Sequence, residues 1–221
     1  MSPVYLKHYD APPINRKEIL RYAGAVEGLF EVECLLNSCL DEIKDRLMYS
    51  VCFCELPIAI TAGGVDFGFA EIPSEDLRKN LDGCKKIVLF AATVGIEIDR
   101  FIARYTRSLP ARALMYQAIG AERIEALCDC FSREIEAEKR TEGLYVRPRF
   151  SPGYGNFSIE AQSLIFDVLD APRKIGVSLC DSLLMSPSKS VTAIIGVSEN
   201  PKSCVGGCKA CQKNCSYRRT V

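Results

Sequence analysis

An α+β domain with a mostly antiparallel sheet is the fold class this sequence predicts. Apolar residues recur at helical spacing in some stretches and alternate with period two in others, and the two kinds follow one another irregularly. No strand–helix–strand unit repeats, and no glycine-rich dinucleotide or phosphate loop stands between a strand and a helix. With 221 residues, 48% of them hydrophobic, the chain can fill a sizeable core. The composition divides it into an α+β domain over 1–200 and a cysteine-rich tail over 201–221.

Residues 1–14 hold Pro3, Pro12 and Pro13 and read as irregular. Asn15 is an N-cap for a short helix to about Ala23. A second helix over about 26–47 would put Val26, Leu29, Phe30, Leu36, Leu40, Ile43 and Leu47 on one stripe, so the N-terminal helical part covers about 15–47. The period then changes. Tyr49, Val51 and Phe53 alternate, as do Val65, Phe67 and Phe69, so both stretches read as strands. Ser74 caps a short helix ending near Gly83. The apolar run Ile87 to Ala92 is a strand covered on both faces.

Gly95 opens a helix with Ile98, Phe101, Ile102 and Tyr105 on it. Pro110 suits the first turn of a long helix to about Arg140, with an inner stripe of Leu114, Ala118, Ala121, Leu127, Cys128, Phe131 and Ile135. Gly120 inside it marks close packing or a ligand. Ser158 caps a helix from Ile159 to Leu169, and Pro172 follows its end. Ile175 to Leu179 and Val191 to Val197 read as two more strands.

Charge and composition exclude several functions. Formal net charge is zero, which gives no electrostatic case for nucleic acid. No signal peptide and no membrane-spanning run is visible, so a cytoplasmic location is expected. The single histidine, His8, reads as a surface residue in an extended arm and leaves little room for histidine-based catalysis. Of twelve cysteines, Cys34, Cys39, Cys52, Cys54, Cys84, Cys128, Cys130 and Cys180 are spread along the chain, where core filling is the expected role for most.

Arg147 to Gly155 packs two prolines, two glycines and two arginines into nine residues. Ser151-Pro152-Gly153-Tyr154 reads as a type II turn, with proline presetting φ at the first central position and glycine supplying positive φ at the second. Arg147 and Arg149 would share one side of a strand leading into it. A rigid turn flanked by guanidinium groups suits a small polar ligand with a carboxylate; a tight loop with solvated arginines is the alternative.

Arg149-Phe-Ser-Pro-Gly-Tyr-Gly155, then Gln162, Ile175-Gly-Val-Ser-Leu179 and Met185-Ser-Pro-Ser-Lys-Ser190, resemble the activation domain of cobalamin-dependent methionine synthase. Ala92-Thr-Val-Gly-Ile-Glu-Ile-Asp99 is similar to a further stretch of its stand-alone relatives. The resemblance spans about residues 85–198, and the helix at 15–24 also fits those relatives. It implies a curved, twisted antiparallel sheet with flanking helices that binds S-adenosylmethionine. It also implies docking over a cobalamin domain whose cofactor has been oxidised to cob(II), with an electron from a flavodoxin- or ferredoxin-type donor and a methyl group from S-adenosylmethionine regenerating methylcobalamin.

A free-standing copy implies a partner: a cobalamin-binding methionine synthase lacking its own activation domain, or another corrinoid protein. The Asp-x-His-x-x-Gly loop of many cobalamin carriers is absent here, which places the cobalamin on that partner. By the same resemblance Arg149 contacts the ligand, Ser151, Pro152 and Gly153 offer backbone groups, Tyr154 lines the pocket and Gly155 adjoins it. The family's late-strand aromatic pair falls here at Ile195 and Gly196, so that wall differs, and its acidic residue near the domain start has no placed counterpart.

The tail carries Cys204, Cys208, Cys211 and Cys215 within twelve residues, spaced by glycines and polar residues. Four thiolates suit a structural zinc or a 4Fe-4S cluster, and the electron required by the implied reaction favours the cluster. Two alternatives stand beside the reactivation role: an iron–sulfur electron carrier for corrinoid proteins, and a non-enzymatic interaction module with a zinc-stapled tail.

Overall fold

A computed structural model describes residues 2–201. In chain order the elements are β1 (Tyr5–Tyr9), α1 (Arg16–Ala23), α2 (Phe30–Ile43), β2 (Tyr49–Pro57), β3 (Ala59–Ile60), β4 (Val65–Asp66), β5 (Glu71–Ile72), α3 (Glu75–Asn80) and β6 (Cys84–Thr93). Then come α4 (Glu97–Tyr105), α5 (Pro110–Thr141), β7 (Tyr145–Val146), α6 (Ala161–Leu169), α7 (Ala171–Ile175), β8 (Ser178–Leu179), β9 (Met185–Ser186) and β10 (Ser190–Ser198). Five strands form one curled sheet in the order β1-β2-β6-β10-β7, and every pairing is antiparallel. Thr93 of β6 faces Ser50 of β2 on one side and Ser190 of β10 on the other.

The central strands are apolar on both faces because both faces are covered. Val51, Val88, Phe90, Ala92, Ala193, Ile195 and Val197 pack with α1, α2, α4 and α5. Cys52, Cys54, Ile87, Leu89, Ala91 and Ile194 pack on the other face with α3, α6 and α7. On α5, Phe131 meets Phe90 at 4.8 Å and Phe53 at 5.2 Å between ring centroids, and truncating such a buried ring costs about 3–5 kcal/mol.

The structure corrects several readings. Residues 5–9 pair with β2 as an edge strand, so the N-terminal segment is not wholly irregular; exposed His8 sits on it, with Nδ1 3.0 Å from the Ser50 hydroxyl. The second helix is shorter than 26–47. Gly24 and Gly28 have φ of +63° and +86°, Asp45 has +61°, and these left-handed residues bound α2. Val26 and Leu29 fall before the helix and are exposed, and Phe30, its first residue, is exposed too. Leu114 is exposed too, because Tyr116 turns inward to stack on Phe101 at 4.7 Å, and a residue two positions away lies across the helix. Residues 65–69 keep only a two-residue strand. Pro172 opens α7 as well as following α6, and Ile175 closes α7, so the next strand starts only at Ser178.

Gly120 is there for close packing. A Cβ on it would lie 2.8 Å from both Ile98 Cγ2 and Lys189 Cγ. Five spread cysteines, Cys39, Cys52, Cys54, Cys84 and Cys128, are buried free thiols, while Cys130 is half-buried and Cys34 and Cys180 are exposed. Burial pushes the Cys52 thiol up to about 12 and the Cys54 thiol to about 11, so both stay neutral at ordinary pH. Among the described residues no group of His, Cys, Asp and Glu could hold a metal, and no helix is long and apolar enough to cross a membrane.

Glu42 ties α2 to α4 and α5. It accepts from Tyr105 Oη (2.7 Å), Tyr116 Oη (2.6 Å) and Arg112 Nη2 (2.5 Å). Burial works to raise its pKa, but the bonds from Tyr116, Tyr105 and Arg112 outweigh it and hold the carboxyl at about 2. The folded value lies below the unfolded one, so the stabilisation is present above about pH 4.3 and is lost as pH falls towards about 2. Glu42→Gln is expected to lower unfolding free energy by about 1–3 kcal/mol at neutral pH. Urea unfolding across a pH series should show that deficit shrinking on acidification.

Candidate functional site

The segment entering the turn pairs with β10, and this pairing separates the two arginines. Val146 pairs with Val197 and Phe150 bridges Ile194, which leaves three residues between them on the edge chain against two on β10. One extra residue flips the side-chain phase. Arg147 and Arg149 therefore do not share a side as the sequence suggested.

Arg147 is 2% exposed and donates to the carbonyls of Asn200 (3.3 Å) and Asp82 (3.4 Å). Arg149 turns to α5, where Nη1 meets Asp129 Oδ1 and Nη2 meets Glu125 Oε2, each at 2.6 Å. Burial works against its charge, but Cys128, Glu125 and Asp129 together raise its pKa above the usual arginine value. It is a permanent cation in a slot between two carboxylates.

The predicted turn forms. Gly153 has φ of +89°, and the Tyr154 N–H donates to the Ser151 carbonyl at 3.2 Å. Two more bonds close the loop behind it: Gly153 N–H to Phe157 O (2.8 Å) and Phe157 N–H to Tyr154 O (3.0 Å). The Gly153 amide and the Ser151 carbonyl are thus engaged within the loop, and Pro152 is buried. Tyr154 is what the turn displays, at 67% exposure. Behind it a row of rings runs inward: Tyr154 to Phe150 at 6.5 Å, then Phe150 stacked on buried Phe157 at 6.1 Å. The outer face of this ring is open for stacking with a planar group.

Gly155 has φ of +56°, and a Cβ on it would fall 2.2 Å from Asp76 Oδ2. Glycine is therefore required there by close approach of α3. Gly196 is equally constrained, since its Cβ would meet Cys84 Sγ and Leu81 Cδ2 at 2.7 Å and Arg147 Cγ at 3.1 Å. Ile195 is buried towards α5. Buried Arg147, Cys84 and Leu81 thus fill the space beside Gly196.

The other singled-out segments meet around the sheet. Ser188 donates its N–H to Asp99 Oδ2 at 2.7 Å and its hydroxyl to Oδ1, which joins 92–99 to 185–190. Gln162 is buried, donates to Leu183 O (2.8 Å) and accepts from Thr192 Oγ1 (3.1 Å).

A cleft of about 670 Å³ opens between α5 and the segment from Pro12 to α1. Glu122 lines it and accepts the Asn15 N–H (3.0 Å); its buried partner Arg123 donates to Pro12 O (2.5 Å) and Pro13 O (2.8 Å). Asp129 lines this cleft and also holds Arg149, whereas residues 151–155 are not part of its lining. Sequence reasoning missed Glu125, Asp129, Asp76 and Asn156, which lie 20 to 80 positions from their partners and carry no local signal. The expected metal ligands Cys204, Cys208, Cys211 and Cys215 lie outside the described residues.

The model of the vitamin B12 dependent methionine synthase activation domain matches residues 76–214. The chain belongs to that family. The family segment thus begins at the residue packed under Gly155 and contains the turn, Asp99, Gln162 and the 185–190 segment. Among solved structures, a crystal structure of the MetH reactivation domain bound to AdoHcy shares the fold: TM-score 0.63 at 16% identity, covering 91% of this chain and 80% of that one. No curated protein matches the chain.

Gly155→Ala should cost about 1–3 kcal/mol of stability, since it adds a side chain at positive φ against Asp76. Denaturant unfolding of the two proteins would measure it.

Proposed function

We propose that this protein is an S-adenosylmethionine-binding reactivation module that supports reductive methylation of a cobalamin held by a separate protein. The observation that carries the reading is the turn itself, formed here with Tyr154 exposed above a braced aromatic row and with Arg149, two positions before it, fixed against α5. The partner is a methionine synthase lacking its own activation domain, or another corrinoid protein, and a flavodoxin- or ferredoxin-type protein supplies the electron.

The chain's own part is positional. Tyr154 stacks with the adenine, and the rigid Ser151–Gly155 turn sets the height of that ring above the surface. Gly153, exposed on the turn, lets the ligand approach the backbone there, while Pro152 is buried and Gly155 gives its space to Asp76. Arg149, already bonded to Glu125 and Asp129, presents an edge of its guanidinium to the ligand carboxylate while those carboxylates keep it from swinging away. S-adenosylmethionine supplies the methyl group, and none of these residues has to move a proton.

Calorimetry on the full chain tests this. S-adenosylmethionine should bind, alone or with the corrinoid partner, and Arg149→Ala should weaken binding by about tenfold or more, the effect of one charge-assisted contact. No binding in either setting, or binding unchanged by the substitution, overturns it.

A second reading, compatible with the first, rests on Cys204, Cys208, Cys211 and Cys215. Four thiolates in twelve residues suit a 4Fe-4S cluster that passes an electron to the corrinoid, or a zinc that staples the tail of an interaction module. Protein purified without oxygen should be brown, with visible absorption and about four irons per chain for such a cluster. A colourless, zinc-loaded protein removes the electron-carrier reading.

A further inference from the structure

The Arg147–Gly155 segment is gripped from both sides by α3, a helix of six residues. Before the turn, Asn80 at the C-terminal end of α3 donates its Nδ2 to the Pro148 carbonyl at 3.2 Å. After the turn, Asn156 and the start of α3 exchange bonds. Asn156 Oδ1 accepts the Ser74 hydroxyl (2.8 Å) and the Asp76 N–H (3.0 Å), while Asp76 Oδ2 accepts the Asn156 N–H (3.0 Å). Ser74 in turn caps α3 by accepting the Leu77 N–H at 3.1 Å. The exit of the turn thus satisfies an amide that a helix start otherwise leaves without an intrahelical partner, and α3 satisfies an amide of the turn.

The clasp is specific in shape. Asp76 lies so close under Gly155 that no side chain fits between them. The turn's own hydrogen bonds join 151 to 154, 153 to 157 and 154 to 157. They fix its internal shape but not its tilt against the rest of the domain. That tilt sets where the exposed Tyr154 ring points, and the Asp76–Asn156 exchange anchors it just beyond the ring. On the entry side, the Phe150–Ile194 bridge anchors it to β10.

We propose that Asp76 is a positioning residue for the ligand: through Asn156 it sets the tilt of the Ser151–Gly155 turn, and so the placement of Tyr154. This rests on the proposed ligand role of the turn. Without the clasp the turn loosens and samples several tilts, its own amide bonds open more often, and the bound tilt must be selected at a cost in affinity.

Three variants of the full chain test it: Asp76→Ala, Asn156→Ala, and Asp76→Asn, whose amide oxygen can still accept the Asn156 N–H. Calorimetry with S-adenosylmethionine, well below the unfolding transition, should show binding weakened by about tenfold in both alanine variants and largely restored in Asp76→Asn. Amide hydrogen exchange should speed up over 151–157 and leave β6 and β10 unchanged. Asn156→Ala keeps the bond from the residue-156 N–H to Asp76 Oδ2 and breaks the two that Asn156 Oδ1 accepts, so it tests that half of the clasp; where Asp76→Ala does not fold, Asp76→Ser, one bond shorter, takes its place.

Wild-type binding with both alanine variants equally tight overturns the inference, as does faster exchange spread through the sheet, which would mark a general loss of stability. Should the wild type bind nothing, the ligand reading fails on its own. The exchange pattern then still decides the clasp: acceleration confined to 151–157 sustains it, and no change refutes it.

Discussion

The antiparallel pairing of β10 with neighbours on both sides is the constraint on which the rest of the molecule depends. On one side it pairs with β6 along its length, from Ser190–Thr93 to Ser198–Cys84. On the other it pairs with the chain that enters the turn, through Val146–Val197 and Phe150–Ile194. Nearly all of β10 is buried, so a slip by one residue would exchange its two apolar faces. The register is therefore held by the whole core, and the turn inherits its position from that register.

The extra residue between the two β7-side pairings decides where the two arginines go. A strictly regular edge strand would send both arginines to one layer. The added residue sends Arg147 towards α3 and β6, where it is buried and fills the space beside Gly196, and Arg149 towards α5, where two carboxylates fix it. Two similar side chains in one tripeptide thereby receive opposite roles, one in the core and one at the candidate site. Arginine suits both tasks, since its planar fork can satisfy several acceptors at once and its charge persists on burial.

Polar contacts at the periphery repeat this logic. The Glu122–Arg123 pair holds the Pro12–Asn15 segment to α5, Glu42 gathers α2, α4 and α5, Asp99 holds the 185–190 segment, and Asn156 with Asp76 joins the turn to α3. In each case a carboxylate or arginine in the interior or at its margin accepts or donates bonds that the local backbone cannot complete for itself. The apolar core makes the domain stable; these latches decide how its loops are tilted.

The sequence by itself determined the local elements. The Asn15 and Ser74 caps, Pro110 at the head of α5, the two-faced apolar run of β6 and the Pro152-Gly153 turn all form as read, because each depends on backbone preferences within a few residues. The family resemblance was legible for the same reason, through short segments in fixed order. Tertiary structure alone decided the rest: β1 as an edge strand, the outward face of Leu114, the parting of Arg147 and Arg149, the fit of Gly120, Gly155 and Gly196 against distant side chains, and the pairing of Arg149 with Glu125 and Asp129. Each of these depends on register or close approach between residues far apart in the chain, and such contacts leave no periodic or compositional trace in either partner.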